Sequence, residues 1–292
     1  MTLLNDYLRS VYGCKVYKLA LSADVTCPNR DGVLSDKGCS FCSAGGSGEF
    51  AGDRSIPIAD QLAEARKRVS GKIRDGKYIA YFQSFSNTYA PLPYLKSIYY
   101  EAIKPEDVVI LSVGTRPDCL GDDVIALLSG INRIKPVWVE LGLQTIHEPT
   151  AQRINRCYPL STYDDAVSRL HRAGIAVVTH VILGLPGETE AMMLETVKYV
   201  AASGVFGIKL QLLQILKGTA MAAEYEKGKV PVMTLSEYAA LLKKAVALIP
   251  EDMVIHRLTG DGPKSLLIAP SWSGDKKRVL NTLKKALPSI LP

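Results

Sequence analysis

Residues 176–215, AVVTHVILGLPGETEAMMLETVKYVAASGVFGIKLQLLQI, contain a strand, a helix and a second strand in succession. The first and last runs, Ala176 to Gly184 and Gly207 to Ile215, are short and rich in β-branched and apolar residues, which is typical of buried strands. Between them, residues 189–203 have helical periodicity, with Thr189 as the predicted N-cap and Gly204 at the end. This order predicts two parallel strands joined by a right-handed crossover.

The same unit recurs towards the N-terminus. Four further strands are predicted at Lys15 to Leu21, Ile79 to Ser84, Val108 to Gly114 and Val137 to Gln144. Counted along the chain, these are predicted strands one to four, and the two strands above are strands five and six. A helix over residues 161–173 is expected to begin with Ser161 or Thr162 as N-cap and to end at Gly174, and Thr234 with Glu237 predicts a capping box. Six such units are too few for a closed eight-fold barrel, which leaves a partial barrel or an open doubly wound sheet. In both architectures the functional groups gather at the carboxyl ends of the strands.

Length and composition favour a single globular domain. The 292 residues include no linker or low-complexity segment, so we expect a barrel over residues 1–220, with a short N-terminal lead, and an extension over residues 221–292 packed on it. No signal peptide or membrane-spanning run is found, which predicts a cytoplasmic protein with reduced cysteines. The net charge of +6 and the basic run Lys276, Lys277, Arg278, Lys284 and Lys285 suit a polyanion such as RNA. A solvated helix face would explain the same run.

The cysteines are unevenly distributed. Cys27, Cys39 and Cys42 fall in the polar string TCPNRDGVLSDKGCSFC, residues 26–42, whereas Cys14, Cys119 and Cys157 are scattered and their roles stay open. Three thiolates without a nearby fourth ligand disfavour structural zinc, which normally takes four protein ligands. A [4Fe-4S] cluster on three cysteines would leave one iron open to the amino and carboxylate groups of an amino acid. A zinc knuckle and incidental buried thiols are the alternatives.

The ending of this string, Cys39-Ser40-Phe41-Cys42, resembles the cluster loop of radical-SAM enzymes. The wide gap before it is similar to the expanded loop of the elongator catalytic subunit. The strings CPNRDG, CSFCSAGGSG, TRPDCL, VELGLQT, ILGLPGE and HRLTGDGP resemble the bacterial YtqA/YhcC-type radical-SAM family, and the resemblance runs from residue 14 to about residue 272. It implies a partial (β/α)6 barrel with a [4Fe-4S] cluster on Cys27, Cys39 and Cys42. It also implies reductive cleavage of S-adenosylmethionine to a 5'-deoxyadenosyl radical, with an electron from a flavodoxin or ferredoxin.

The resemblance further implies residues that bind S-adenosylmethionine. Phe41 would lie against the adenine, and Gly184 would let the backbone approach it. Strand five would place His180 at the ribose, although a satisfied core histidine is an equal alternative. Gln144 and Arg156 would bind the cosubstrate, and the Arg156 guanidinium would pair with the carboxylate of the cosubstrate. The segment after strand two would contact the methionine ammonium through Gln83, Ser84, Ser86 and Asn87, unless it is only a polar turn.

The resemblance leaves the substrate side more open. Candidate residues are Arg116, Lys209 with Gln211 on the same face of strand six, His256 and Asp261. Relatedness to the elongator subunit suggests tRNA carrying a 5-carboxymethylaminomethyl-type wobble uridine. We expect no acetyltransferase domain after the barrel, which favours conversion of an existing side chain. A radical-SAM enzyme for a small metabolite or peptide, and an iron–sulfur protein without enzymatic activity, are the alternatives.

Overall fold

A computed structural model describes residues 2–72, 76–260 and 262–288. Asp261, one of the predicted substrate residues, lies outside the described residues. The strands are β1 (Thr2–Leu3), β2 (Val16–Leu21), β3 (Lys77–Phe82), β4 (Val108–Thr115), β5 (Val137–Gln144), β6 (Ala176–Leu183), β7 (Gly207–Leu212), β8 (Ile215–Leu216), β9 (Val254–Arg257) and β10 (Leu267–Ala269). The helices are α1 (Leu4–Tyr12), α2 (Ile58–Val69), α3 (Leu92–Ile103), α4 (Asp122–Asn132), α5 (Glu148–Arg153), α6 (Leu160–Arg172), α7 (Glu190–Ala202), α8 (Ala220–Glu226), α9 (Leu235–Val246) and α10 (Lys276–Ala286).

Eight parallel strands form one open sheet in the order β1, β9, β7, β6, β5, β4, β3, β2. All six predicted strands are present as β2 to β7, which confirms a partial α/β barrel, and β9 and β1 extend the sheet beyond β7. The predicted strand Gly207 to Ile215 is divided, since β8 leaves the main sheet and pairs antiparallel with β10. The strands β2 and β1 are the two free edges, so the barrel has a gap in its side.

Helix starts agree with the sequence where a side chain makes the cap. Thr189 accepts a hydrogen bond from the Met192 N–H, and Thr234 with Glu237 forms the predicted capping box. The prediction for α6 was wrong because the helix begins at Leu160, after Pro159, without a side-chain cap. Among the described helices, none is both long and apolar enough to cross a membrane.

The inside of the sheet is layered, as in related barrels. An apolar layer at the amino ends of the strands contains Ile79, Ile110, Trp138 and Val178, and Leu8 of α1 packs against it. Towards the carboxyl ends, polar side chains replace the apolar ones. The outer face is covered by helices, and its core includes Leu19, Leu21 and Phe82. The apolar layer therefore closes the bottom of the barrel, and the polar interior opens towards the carboxyl ends of the strands and through the side gap.

Candidate functional site

A cavity opens at the carboxyl ends of the strands and encloses about 1080 Å³, including its mouth. Twelve of the predicted site residues line it: Cys27, Cys39, Phe41, Cys42, Gln83, Ser86, Arg116, Gln144, Arg156, His180, Lys209 and Gln211. The cavity is also lined by residues that were not predicted, which include Arg30, Ser47, Tyr81, Phe85, Glu140 and Tyr158. The fold thus brings together side chains from seven different strands or the loops that follow them, β2 to β7 and β9.

The cysteine loop between β2 and α2 contains no helix or strand, so its shape depends on side-chain contacts. Arg30 donates from one terminal nitrogen to the Cys42 and Ser43 carbonyls at 2.9 and 2.6 Å. Asn29 donates to the Cys39 sulfur at 3.4 Å and to the Asn155 carbonyl at 2.6 Å. These two residues hold the thiols in place, and the motif string CPNRDG was their only signal in the sequence.

Burial keeps the thiol of Cys39 protonated as long as no metal is bound. Burial and the nearby Cys42 raise the pKa of Cys39 to about 12, against the lowering influence of Arg116 and Asn29. Thiols in this setting lose their protons when a metal replaces them. Within the described ranges, no three His, Cys, Asp or Glu side chains converge as ligands of a single metal ion do.

The remaining cysteines do not contribute to the lining that the described residues form. Cys14 is half-buried, Cys119 is buried beside Asp118 with 3.7 Å between sulfur and carboxylate oxygen, and Cys157 is exposed. Burial raises the pKa of Cys119 and also that of Cys157.

The segment after β3 packs against the glycines of the cysteine loop. Gln83 donates to the Ser47 carbonyl at 2.8 Å. A Cβ on Gly48 would lie 1.8 Å from the Ser84 hydroxyl oxygen, so this close approach requires glycine. Ser84 itself bonds Ser22 at 2.8 Å and is not among the described residues that line the cavity.

The next two residues of this segment differ in their surroundings. The Asn87 amide donates to the Gly114 carbonyl at 2.9 Å and is fully buried outside the lining. The Ser86 hydroxyl lines the cavity and is buried without a hydrogen-bond partner among the described residues, although it lies close enough to Cys119 to lower the pKa of that thiol. Ser86 is therefore the residue of this segment best placed to accept from a ligand.

Glu140 lies at the centre of the polar interior. The term Glu140 cluster is used below for this residue and its neighbours Lys18, Tyr81, Ser112, His180 and Lys209. One carboxylate oxygen accepts from Lys18 and Ser112, both at 2.7 Å. The other accepts from His180 at 2.8 Å and from Lys209. These contacts join β2, β4, β5, β6 and β7. They also give both oxygens of a carboxylate inside an apolar strand their hydrogen-bond donors.

Opposing effects set the charges in the Glu140 cluster. Burial alone raises the pKa of Glu140, but Lys18 and Lys209 outweigh it and hold that pKa well below its usual range. Burial lowers the pKa of Lys209 well below its usual range, against the influence of Glu140. Burial and Lys209 together lower the pKa of His180 to about 4, so this imidazole is neutral at pH 7. It donates to Glu140 and meets the Gln211 amide nitrogen at 3.3 Å with its other nitrogen.

Two arginines on the cavity wall are already engaged. Arg116 makes a bidentate pair with Asp118 at 2.8 and 2.7 Å. Arg156 is buried, donates to the carbonyls of Leu143, Thr145 and Tyr158, and has a weaker contact with Glu148 at 3.4 Å. Both guanidinium groups lie over the Tyr158 ring, at 5.0 and 4.6 Å from its centroid. Most of the Arg156 donors that are engaged bind backbone carbonyls rather than face the cavity.

A backbone irregularity aims Gln144 into the cavity. The pairing of β5 with β6 shifts between Gly142 and Gln144, and Gln144 has φ of 70°, which is unusual for a residue with a side chain. Phe41 lines the cavity and packs on an apolar cluster that includes Ile182. Gly184 lies outside the lining, and a Cβ there would come within 2.8 Å of the Met233 methyl carbon. Its close approach is therefore to Met233.

His256 lies at a different opening. Its ring stands edge-on to Trp138 and Phe206, with centroids 5.0 and 5.7 Å away, and it lines a cleft in the side gap of the barrel. Both ring nitrogens are buried without a hydrogen-bond partner among the described residues. Burial lowers the pKa of His256 well below its usual range, so the ring is neutral.

Similarity to known proteins agrees with this site. Residues 27–200 match the radical SAM superfamily, and residues 205–288 match the radical SAM C-terminal domain. Protein YtqA of Bacillus subtilis is 47% identical over 284 residues, which cover 97% of this chain and 88% of that protein. Protein YhcC of Escherichia coli K12 is 38% identical over 262 residues, which cover 89% and 84%. The archaeal Elp3 of Methanocaldococcus infernus has a similar fold, with a TM-score of 0.70, 16% identity, and coverage of 92% of this chain and 63% of that one.

The residues present fit the cofactors of this superfamily, a [4Fe-4S] cluster and S-adenosylmethionine. Cys27, Cys39 and Cys42 line one cavity and would each bind a different iron. The unpartnered Ser86 and the bulged Gln144 line the same cavity. They would bind the polar groups of the amino-acid part of S-adenosylmethionine. The sequence, the thiol arrangement and the sheet lead to one conclusion: the chain belongs to the radical SAM superfamily.

Proposed function

We propose that this radical SAM enzyme acts on the side chain of a tRNA wobble uridine of the 5-carboxymethylaminomethyl type. The observation that supports the proposal most is the position of the basic helix α10. Its side chains Lys276, Lys277, Arg278, Lys284 and Lys285 are exposed. Lys276 lies over the ring of Phe50, 5.7 Å from the centroid, and Phe50 lines the cleft in the side gap. A polyanion held on α10 would therefore lie next to an entrance to the barrel interior.

When bound, the cluster and S-adenosylmethionine supply a 5'-deoxyadenosyl radical that abstracts a hydrogen atom from the substrate. The chain contributes enclosure and orientation. The apolar layer of Ile79, Ile110, Trp138 and Val178 closes the bottom of the barrel against water. Phe41 and Ser86 face the space where the nucleoside and amino-acid parts of the cofactor would lie, and the Glu140 cluster is left for the substrate.

The compartment and electron source are part of the same proposal. All six cysteines are free thiols, which suits the reducing cytoplasm. We expect the electron to come from a flavodoxin or ferredoxin.

The test is comparative nucleoside mass spectrometry of tRNA from cells with and without the gene, complemented with wild type or with Cys39→Ser. We expect the deletion strain to accumulate an unconverted wobble uridine, which wild type removes and Cys39→Ser does not. An identical wobble-uridine profile in all strains would contradict the proposal and favour a small metabolite or peptide as substrate.

A further inference from the structure

We propose that the cleft in the side gap of the barrel is a subsite for a carboxylate of the substrate. This side cleft lies between the edge strand β2 and the strand β9, and is lined by Lys18, Ala20, Phe50, Tyr81, Lys209 and Arg257 among others. The inference rests on the proposed function in so far as it identifies the anion with the carboxylate of the uridine side chain.

Positive charge is concentrated in the side cleft. The ammonium groups of Lys18 and Lys209 lie over the same ring, each 4.7 Å from the Tyr81 centroid. They share one carboxylate, that of Glu140, which gives this buried group an excess of one positive charge. None of the described residues that line the side cleft is acidic. Buried charge without a counter-charge is costly, so a bound anion would stabilise this arrangement.

Hydrogen-bonding capacity also remains for such an anion. Each oxygen of Glu140 already accepts from two donors, so Glu140 takes no further part. Each lysine ammonium has three N–H donors. Among the hydrogen bonds of the described residues, Lys209 uses two, to Glu140 and to the Tyr81 hydroxyl at 3.2 Å, and Lys18 uses one. The remaining donors suit the two oxygens of a carboxylate.

The side cleft adjoins the main cavity. Tyr81, Gln83, Lys209 and Arg257 line both spaces. A substrate side chain whose carboxylate is held by Lys18 and Lys209 would therefore extend past Tyr81 into the space that the cysteines face. The subsite would fix the end of the side chain and present its carbon atoms to the cofactor.

The experiment compares the binding of a charged and a neutral ligand. We would measure Kd by fluorescence anisotropy, anaerobically and without reductant, on enzyme with its cluster and S-adenosylmethionine. The ligands are an anticodon stem-loop RNA with 5-carboxymethylaminomethyluridine and the same RNA with its methyl ester. The variants are Lys18→Met, Lys209→Met and the double variant Lys209→Met/Glu140→Gln. The double variant removes one positive and one negative charge, so the net charge of the protein does not change. The matched control is Lys198→Met, which removes an exposed lysine on the outer helix α7.

We expect wild type and Lys198→Met to bind the acid at least about tenfold more tightly than the ester, or about 1.4 kcal/mol. The two lysine variants should lose this preference. If Lys209→Met fails to fold, judged by iron content and denaturation midpoint, Lys18→Met and the double variant still test the subsite. Equal binding of acid and ester by wild type, or a preference that survives in the lysine variants, would overturn the subsite while the tRNA proposal stands.

A second arm separates the two proposals. The denaturation midpoint is measured with acetate or acetamide, which requires no RNA. If neither RNA binds but acetate raises the midpoint of wild type and not that of Lys18→Met, the subsite stands and the tRNA substrate is wrong. If neither RNA binds and acetate has no more effect than acetamide, both proposals are wrong.

Discussion

Replacing Glu140 by glutamine tests whether the Glu140 cluster holds the barrel interior together. Glutamine keeps one acceptor oxygen for Lys18 and Ser112, but places an amide NH₂ against the donors of His180 and Lys209. The buried ammonium of Lys209 and the partly buried ammonium of Lys18 then lack this counter-charge. Breaking a buried ion pair typically costs about 3–5 kcal/mol. We expect the lower end, about 3 kcal/mol, because the lowered pKa of Lys209 lets that group shed its proton.

The measurement is anaerobic urea denaturation of the reconstituted enzyme, followed by tryptophan fluorescence. Trp138 reports on the site directly, because its ring centroid is 5.9 Å from the Lys18 ammonium nitrogen. The matched control is Glu190→Gln, which removes an exposed pair with Lys244 at 2.6 Å and should cost no more than about 0.5 kcal/mol. The double variant Lys18→Met/Glu140→Gln should show a coupling energy of about 1–3 kcal/mol. A loss below about 1 kcal/mol for Glu140→Gln, with unchanged iron content, would refute the reasoning.

Three other predictions follow from the site. The pKa of His180 is about 4 in the folded chain and about 6.5 in a free chain, so His180 should make stability fall by up to about 1.4 kcal/mol per pH unit as pH drops from 6.5 towards 4. His256, whose pKa is also lowered by burial, should add to this slope. In urea titrations His180→Gln, unlike the exposed His171→Gln, should remove the His180 share of the slope; an unchanged slope would contradict a neutral buried His180. Gly48→Ala should destabilise the protein by about 1–3 kcal/mol, because the new Cβ would lie 1.8 Å from the Ser84 oxygen. The control is Gly71→Ala, whose Cβ meets open space. Equal denaturation midpoints for the two variants would show that the loop can shift. Cys39→Ser should lose most of the iron and sulfide after anaerobic reconstitution and Cys157→Ser should keep it, so a full cluster in Cys39→Ser would remove that cysteine from the ligand set.

The sequence came closest to the structure where the signal is local. The apolar runs and their β-branched content predicted the bounds of β2 to β7 to within a few residues, because a buried parallel strand is a continuous apolar run. The prediction for Gly207 to Ile215 extended too far, since the apolar pattern continues where the chain leaves the sheet to pair as β8. The short strands β1 and β9 were missed because two to four residues give too little pattern to recognise.

The candidate site was partly predictable for the same reason. The three cluster cysteines lie within one loop, and their spacing alone indicated a shared ligand. Arg156 and Ser84 were recognised through motif position, but their partners, the carbonyls around Leu143 and the Ser22 hydroxyl, could not be read from the chain. Lys209 stood out as a charge in an apolar strand, and Glu140 gave the same signal in VELGLQT without being noticed.

The sequence by itself determined that the chain forms parallel strands and that Cys27, Cys39 and Cys42 share one loop, because neighbours along the chain decide both. Only the tertiary structure decided that Lys18, Glu140 and Lys209 form one buried group, since they lie on strands far apart in the chain and meet inside the curved sheet. The side cleft likewise exists because β9 and β1 follow β7 in the sheet and leave a gap opposite β2. Strand order is set by packing the whole sheet against its helices, and no local pattern encodes it.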